Sequence, residues 1–175
     1  MKEIETQRLR LGRFRPEDWK DLYEYLSDEN VVRFEPYETY TEEESKQEAI
    51  NRSVNDAFWA VILKENNKVI GNIYFEKQDF DTWELGYVFH TDYQRYGYAT
   101  ESARAIMDYA FHNLNARRII ARCDTKNEPS WKLLERLHMR REGHYRNLRY
   151  FKMDKENNPI WIDAYEYAIL AEEWK

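Results

Sequence analysis

Between a strand-like run, Trp83 to Phe89, and a helix-like run, Thr100 to Leu114, the chain reads Tyr93-Gln94-Arg95-Tyr96-Gly97-Tyr98-Ala99-Thr100-Glu101. A short loop that opens a helix gathers free backbone N–H groups and the positive end of the helix dipole at one spot. That combination binds phosphate. Gly97 has no Cβ, so backbone there can approach a ligand closely or take a positive φ. The loop lacks the Gly-Lys-Ser/Thr of a Walker A motif and the G-x-G-x-x-G of a dinucleotide turn. Its pattern is Gln-x-x-Gly-x-Ala followed by Thr-Glu. A ligand-free strand–helix turn is the plain alternative, because a single glycine in a loop is weak evidence.

The elements around the loop follow from periodicity. Leu9, Leu11 and Phe14 mark a strand within Arg8 to Phe14. Pro16 opens a helix whose apolar residues Trp19, Leu22, Tyr23 and Leu26 follow helical spacing. Thr41-x-x-Glu44 is a capping box that starts a second helix. Phe58 to Leu63 and Val69 to Phe75 read as strands joined by the polar turn Lys64 to Lys68. In the next strand Trp83, Leu85, Tyr87 and Phe89 point one way, and Glu84, Gly86 and Val88 the other. The following helix carries Ala103, Ile106, Met107, Ala110, Phe111 and Leu114 on one stripe. Arg118 to Cys123 is a strand, Pro129 to Leu137 a helix, and Glu142 to Phe151 and Ala164 to Leu170 two late strands around the polar stretch Asp154 to Pro159. The order β-α-α-β-β-β-α-β-α-β-β contains no linker or repeat, so residues 1–175 are expected to form one domain.

Composition excludes several classes. A net charge of −6 disfavours a nucleic-acid binder and mildly favours cationic partners. A single cysteine, Cys123, permits no internal disulfide and fits a reducing compartment. No apolar run reaches membrane-spanning length, and the acidic start Met1-Lys2-Glu3-Ile4-Glu5 lacks a signal-peptide core, so a cytoplasmic protein with no membrane partner is expected. His90, His112, His138 and His144 show no metal-ligand spacing, so no metal is expected. Cys123 reads as a buried hydrophobe rather than a nucleophile.

In their order along the chain, these pieces resemble the GNAT N-acetyltransferase superfamily. Gln94-x-x-Gly97-x-Ala99 resembles its coenzyme A pyrophosphate loop. Glu84-Leu85-Gly86-Tyr87 is similar to the end of the family's fourth strand, and Asn127-x-x-Ser130 with Leu133 to Leu137 to its fourth helix. Ile4-Glu5-Thr6-x-Arg8-Leu9-x-Leu11 resembles the first strand of the ribosomal-protein N-terminal (alanine/serine) acetyltransferase branch. Trp161-x-Asp163 followed by Tyr165 to Leu170 resembles that branch's last strand. The likeness spans nearly the whole chain. It implies an α/β (α+β) fold: a mixed, mostly antiparallel seven-stranded sheet flanked by helices, with two splayed central strands that leave a cofactor slot.

The resemblance also implies acetyl-CoA as cosubstrate and assigns roles. Backbone around Arg95, Tyr96, Gly97, Tyr98, Ala99 and Thr100 would wrap the pyrophosphate, with the Arg95 side chain adding a cation. Val88 and Phe89 would offer unpaired backbone groups to pantetheine as to an added strand. Asn127 would make the opposing contact and Ser130 would lie near the cofactor, although Asn127 ahead of Glu128-Pro129 is also a good helix cap by itself. Aromatics within Phe34 to Tyr40 fall where the family lines its acceptor site, with plain packing as the alternative.

An attacking amine must first lose a proton. A lysine-like amine of pKa ~10.4 needs roughly 4 kcal/mol for this at neutral pH, whereas a protein α-amine at ~7.7–8.0 needs roughly 1 kcal/mol. The resemblance nominates Glu84 as base, acting through ordered water. The alternative is that Glu84 holds the substrate ammonium or pairs with a nearby Lys or Arg. The thiol leaving group, judged by the cysteine value of ~8.5, departs readily as thiolate. Many members place a tyrosine acid on the fourth helix, where this chain has Leu134. Tyr145, Tyr87 or no acid at all remain. His138 stands where the branch has glycine, which leaves the local turn open.

The expected activity is direct acetyl transfer from acetyl-CoA to a primary amine, with a protein N-terminal α-amine as the favoured acceptor. A small amine (a polyamine or an aminoglycoside) is the alternative acceptor. A non-catalytic acyl-CoA-binding sensor is the alternative class. The sequence leaves a homodimer open.

Overall fold

The computed structural model describes residues 2–175. Its strands are β1 (Ile4–Glu5), β2 (Leu9–Gly12), β3 (Phe58–Leu63), β4 (Lys68–Lys77), β5 (Thr82–Phe89), β6 (Arg118–Asp124), β7 (Arg140–Met153) and β8 (Pro159–Leu170). They form one sheet in the order β1-β2-β3-β4-β5-β6-β8-β7. Every pairing is antiparallel except β5–β6. The helices are α1 (Trp19–Leu26), α2 (Glu29–Val32), α3 (Glu42–Ser53), α4 (Tyr98–Asn113) and α5 (Glu128–Arg136).

The sheet therefore has eight strands rather than the expected seven. The extra one arises because Ile4–Leu11 is not one strand. The chain turns after Thr6, where Leu9 N–H donates to Thr6 Oγ1 at 2.9 Å and Thr6 N–H to the Leu9 carbonyl at 2.9 Å. Ile4 then folds back opposite Leu11.

Strand alternation divides the core into two layers. Leu9, Leu11, Val61, Ile73, Phe75 and Leu85 pack under α4 and α5, against Ala103, Ile106, Met107, Ala110, Leu133 and Leu134. Ala60, Ile62, Val69 and Val88 face the other way, against Phe14, Leu22, Tyr25, Leu26 and Ala49 of the α1–α3 side. The α1 stripe differs from the sequence expectation by one residue: Tyr25 is fully buried and Tyr23 is exposed. Tyr25 is retained because its hydroxyl finds a partner, donating to Asn72 Oδ1 at 3.0 Å.

The expected local signals at the helix ends are present. Thr41 N–H donates to Glu44 Oε2 at 2.7 Å, closing the capping box of α3. After α5, His138 takes the left-handed conformation (φ +61°) that a glycine would adopt more cheaply, and Met139 N–H reaches back to the Leu134 carbonyl at 3.1 Å. Among the described residues no helix is long and apolar enough to cross a membrane.

Candidate active site

The site begins where two strands separate. β5 and β6 pair only through Thr82–Glu84 and Arg118–Ile120. Beyond that point Leu85–Phe89 stays with β4, while Ala121–Asp124 stays with β8. The facing edges diverge, as the resemblance implied. Gly71 of β4 makes the close β4–β5 contact at the far end possible, since a Cβ there would stand 2.5 Å from the Val88 carbonyl. A cavity of about 620 Å³ opens at the mouth of the split.

The loop after β5 shapes one end of this cavity. Gly97 is the N-cap of α4 at φ +84°, and Arg95 is also left-handed at +66°. Successive backbone reversals of this kind turn N–H groups toward a common concavity. No side chain caps α4. Glu101 N–H bonds to the Gly97 carbonyl at 2.9 Å. Tyr98, Ala99 and Thr100 precede that first intrahelical bond, and all three line the cavity. An uncapped helix N-terminus facing a cavity suits phosphate oxygens. The loop is also braced from the N-terminal hairpin. Arg8 Nε donates to Glu101 Oε2 at 2.8 Å, Arg8 Nη1 to the Tyr96 carbonyl at 3.0 Å, and Thr6 Oγ1 to Glu101 Oε1 at 2.6 Å.

Most of the residues nominated from sequence converge on this cavity. Val88, Phe89, Arg95, Gly97, Tyr98, Ala99, Thr100, Asn127 and Ser130 all line it. The Phe89 carbonyl already accepts from Gln94 Nε2 at 3.1 Å, which ties the loop to the end of β5. Tyr96 is exposed and off the wall, its ring stacked on Tyr98 at 5.9 Å. Asn127 caps α5, its Oδ1 accepting from Ser130 N–H at 3.3 Å, and also faces the cavity. Lys132 and Arg136, one and two turns further along α5, add cations that sequence reading did not single out.

Glu84 lies elsewhere. Its Oε1 is 3.3 Å from Arg122 Nη1, and the same guanidinium bonds Glu166 Oε2 at 2.7 Å. It sits at the β5–β6 junction and is not part of the cavity wall. Glu84 thus has the arginine neighbour that the sequence alternative allowed for.

A further part of the cavity wall is built by α2 and the segment after it. Asp28 caps α2 and accepts from Thr91 Oγ1 at 3.0 Å, joining this segment to the connection after β5. Asn30, Val31, Phe34 and Glu35 face inward. Burial pushes the Glu35 carboxyl up to about 7, against the pull of Arg52 and Arg149. Arg52 is itself 2% exposed and is held by Glu48 Oε1 at 2.7 Å and Asn72 Oδ1 at 2.9 Å. From β5, the Tyr87 hydroxyl donates to the Ser130 carbonyl at 3.0 Å and lies 2.9 Å from Ser130 Oγ. Burial raises the Tyr87 phenol above its usual value, so it can give a hydrogen bond but does not ionise near neutral pH. Tyr145 is exposed and off the wall. Leu134 is 1% exposed in the core, so no acid could act from that position without repacking. Cys123 is buried, which pushes its thiol up to about 11. Glu35 went unnamed in the sequence because a lone carboxylate in an aromatic loop has no motif.

Comparison with known proteins adds four findings. The family described as "Acetyltransferase (GNAT) domain" matches residues 8–140. An uncharacterized N-acetyltransferase of Bacillus subtilis (strain 168), YnaD, is 41% identical over 173 residues, 98% of each chain. A solved GNAT-family acetyltransferase from Bacillus anthracis superposes with a TM-score of 0.87 at 35% identity, covering 98% of this chain and 100% of that one. A ribosomal-protein-S5-alanine acetyltransferase from Vibrio fischeri superposes over 100% of both chains with a TM-score of 0.78 at 21% identity, which shows a shared fold.

Proposed function

Because this chain belongs to the GNAT acetyltransferase family, we propose that it carries acetyl from acetyl-CoA directly to the N-terminal α-amine of a protein. The observation that carries the reading is the uncapped start of α4, whose Tyr98, Ala99 and Thr100 face the split between β5 and β6. In this reading those N–H groups and Arg95 hold the pyrophosphate. Val88, Phe89, Asn127 and Ser130 flank pantetheine in the split, and the thioester faces Tyr87. The amine attacks the acetyl carbon, and the carbon–sulfur bond then breaks. Tyr87 and Ser130, already hydrogen-bonded to each other, can hand a proton to the departing sulfur. This reading uses no metal, and a cytoplasmic setting is supported by the lone Cys123, which fits a reducing compartment.

The protein-acceptor choice is supported by the branch resemblance and by the fold shared with the Vibrio fischeri protein. A small primary amine is the second reading. It is favoured by the contact of Lys152 Nζ with Glu38 Oε2 at 3.3 Å, which ties the β7–β8 hairpin to the loop beside the acceptor end. Thiol release from acetyl-CoA, measured across short N-terminal peptides and small polyamines, decides between them. Turnover confined to polyamines would reject the protein acceptor. Acetyl-CoA binding without turnover on any amine would favour a sensor.

A further inference from the structure

The geometry points to Glu35, on the cavity wall built by α2 and the segment after it, as the proton acceptor for the attacking amine; this rests on the transferase reading above. Glu35 follows α2 and faces the cavity beside Val31 and Phe34. Tyr87 lines the same cavity, close enough that a charge on Glu35 raises its phenol further. An amine placed between them would have a carboxylate on one side and a hydrogen-bonded hydroxyl on the other.

The charged and titratable groups around Glu35 come from separate elements. Arg52 reaches from α3, Arg149 from β7, Tyr37 from its own loop and Tyr87 from β5. Arg52 is already occupied by Glu48 and Asn72. Arg149 has a buried Nε without a hydrogen-bond partner. No hydrogen bond fixes the Glu35 carboxylate among the described residues. This is the opposite of Glu84, which Arg122 engages outside the cavity. Burial brings the Glu35 carboxyl to about 7, so both protonation states are populated at neutral pH.

The step balances as follows. An ammonium nitrogen gives one proton to a Glu35 oxygen and keeps the electron pair. That pair forms the new bond to the acetyl carbon. As the tetrahedral adduct collapses, the carbon–sulfur bond breaks, and a second proton from nitrogen ends on sulfur through Tyr87 and Ser130. Glu35 returns its proton to solvent. Transfer to a base near 7 is uphill by roughly tenfold from an α-amine of pKa ~7.7–8.0, but by more than ~1,000-fold from a lysine-like amine of ~10.4. Glu35 therefore matches weakly basic acceptors.

The test is Glu35→Gln in the full chain, with Glu35→Asp beside it. Acetyl-CoA affinity is measured by calorimetry, and kcat against pH is measured with two amines of different pKa. The expected result is a fall in kcat of at least ~100-fold. The rising limb near pH 7 disappears, acetyl-CoA affinity stays within about twofold, and Glu35→Asp recovers part of the rate. In the parent protein that limb keeps its position when the amine is changed. Glu35→Gln with parental kcat and an intact limb overturns the assignment and leaves the transferase reading standing. A parent protein that fails to bind acetyl-CoA, or binds it and turns over no amine, overturns both.

Discussion

Arg8 Nη2 lies 2.7 Å from Glu101 Oε2, joining the turn between β1 and β2 to the first turn of α4. The same guanidinium rests over the Tyr98 ring at 4.4 Å and holds the Tyr96 carbonyl. The N-terminal hairpin thus clamps the loop that would grip the cofactor. Burial acts to raise the Glu101 carboxyl, but bonds from Thr6 and Arg8 outweigh it and hold the group below its usual value of 4.5. A depressed acid stabilises the fold above its unfolded value and loses that contribution as the pH falls through the folded one. The clamp therefore operates at neutral pH and weakens only in acid below 4.5. Arg8→Met should cost about 1–3 kcal/mol of stability, or about 2–4 °C in Tm per kcal/mol for a chain of this size. It should also weaken acetyl-CoA binding. Calorimetry and a melting curve check both, and parental values in each would remove the clamp.

Gly97→Val should reduce acetyl-CoA affinity at least tenfold, an expected loss of about 1.4 kcal/mol. The reason is conformational rather than steric crowding. An added Cβ would meet Arg8 Nη2 at 3.5 Å, an ordinary contact, but the φ of +84° is costly for a β-branched residue. Binding at parental strength would show that the α4 mouth is not the phosphate site.

Glu35 should carry a stability cost that its chemistry explains. Its folded value of about 7 lies above the ordinary 4.5. Such a group contributes fully below 4.5, and the contribution is lost as the pH rises through about 7. Glu35→Gln should accordingly melt higher than the parent at pH 8, with the difference shrinking toward pH 4.5. Equal melting at both pH values would mean that the carboxylate is well solvated. The direction fits a site that trades stability for activity.

Glu84→Gln should lower kcat/KM by less than ~10-fold, because the ion pair with Arg122 and Glu166 is a partly exposed junction of β5, β6 and β8. A loss of ~100-fold together with a shifted pH–rate limb would return the base role to Glu84.

Leu134→Tyr tests the vacant acid position. Leu134 is 1% exposed among Ala103, Met107 and Leu137 in the shared core. Adding a phenol there should overpack the core and cost about 1–3 kcal/mol. Thermal denaturation measures this, and a stable variant with raised kcat would show room for an acid.

Local chemistry determined a large part of this protein. The Thr41–Glu44 box, the Asn127 cap and the Gly97 reversal each depend on residues within a few positions of one another, so their residue types sufficed. The order of strands and helices followed from the same periodicities, apart from β1 and the short α2. What lay beyond local signals was decided by distant partners. Tyr25 rather than Tyr23 entered the core because Asn72 and Arg52 meet its hydroxyl. The Ile4–Leu11 stretch became two strands around a turn that Glu101 holds from α4. Most consequentially, tertiary structure decided which carboxylate faces the cavity. Arg122 of β6 draws Glu84 into a junction, while α2 places Glu35 where burial suppresses its charge. Proton affinity depends on solvent and on charges brought near by folding, and neither is a property of the residue or its sequence neighbours.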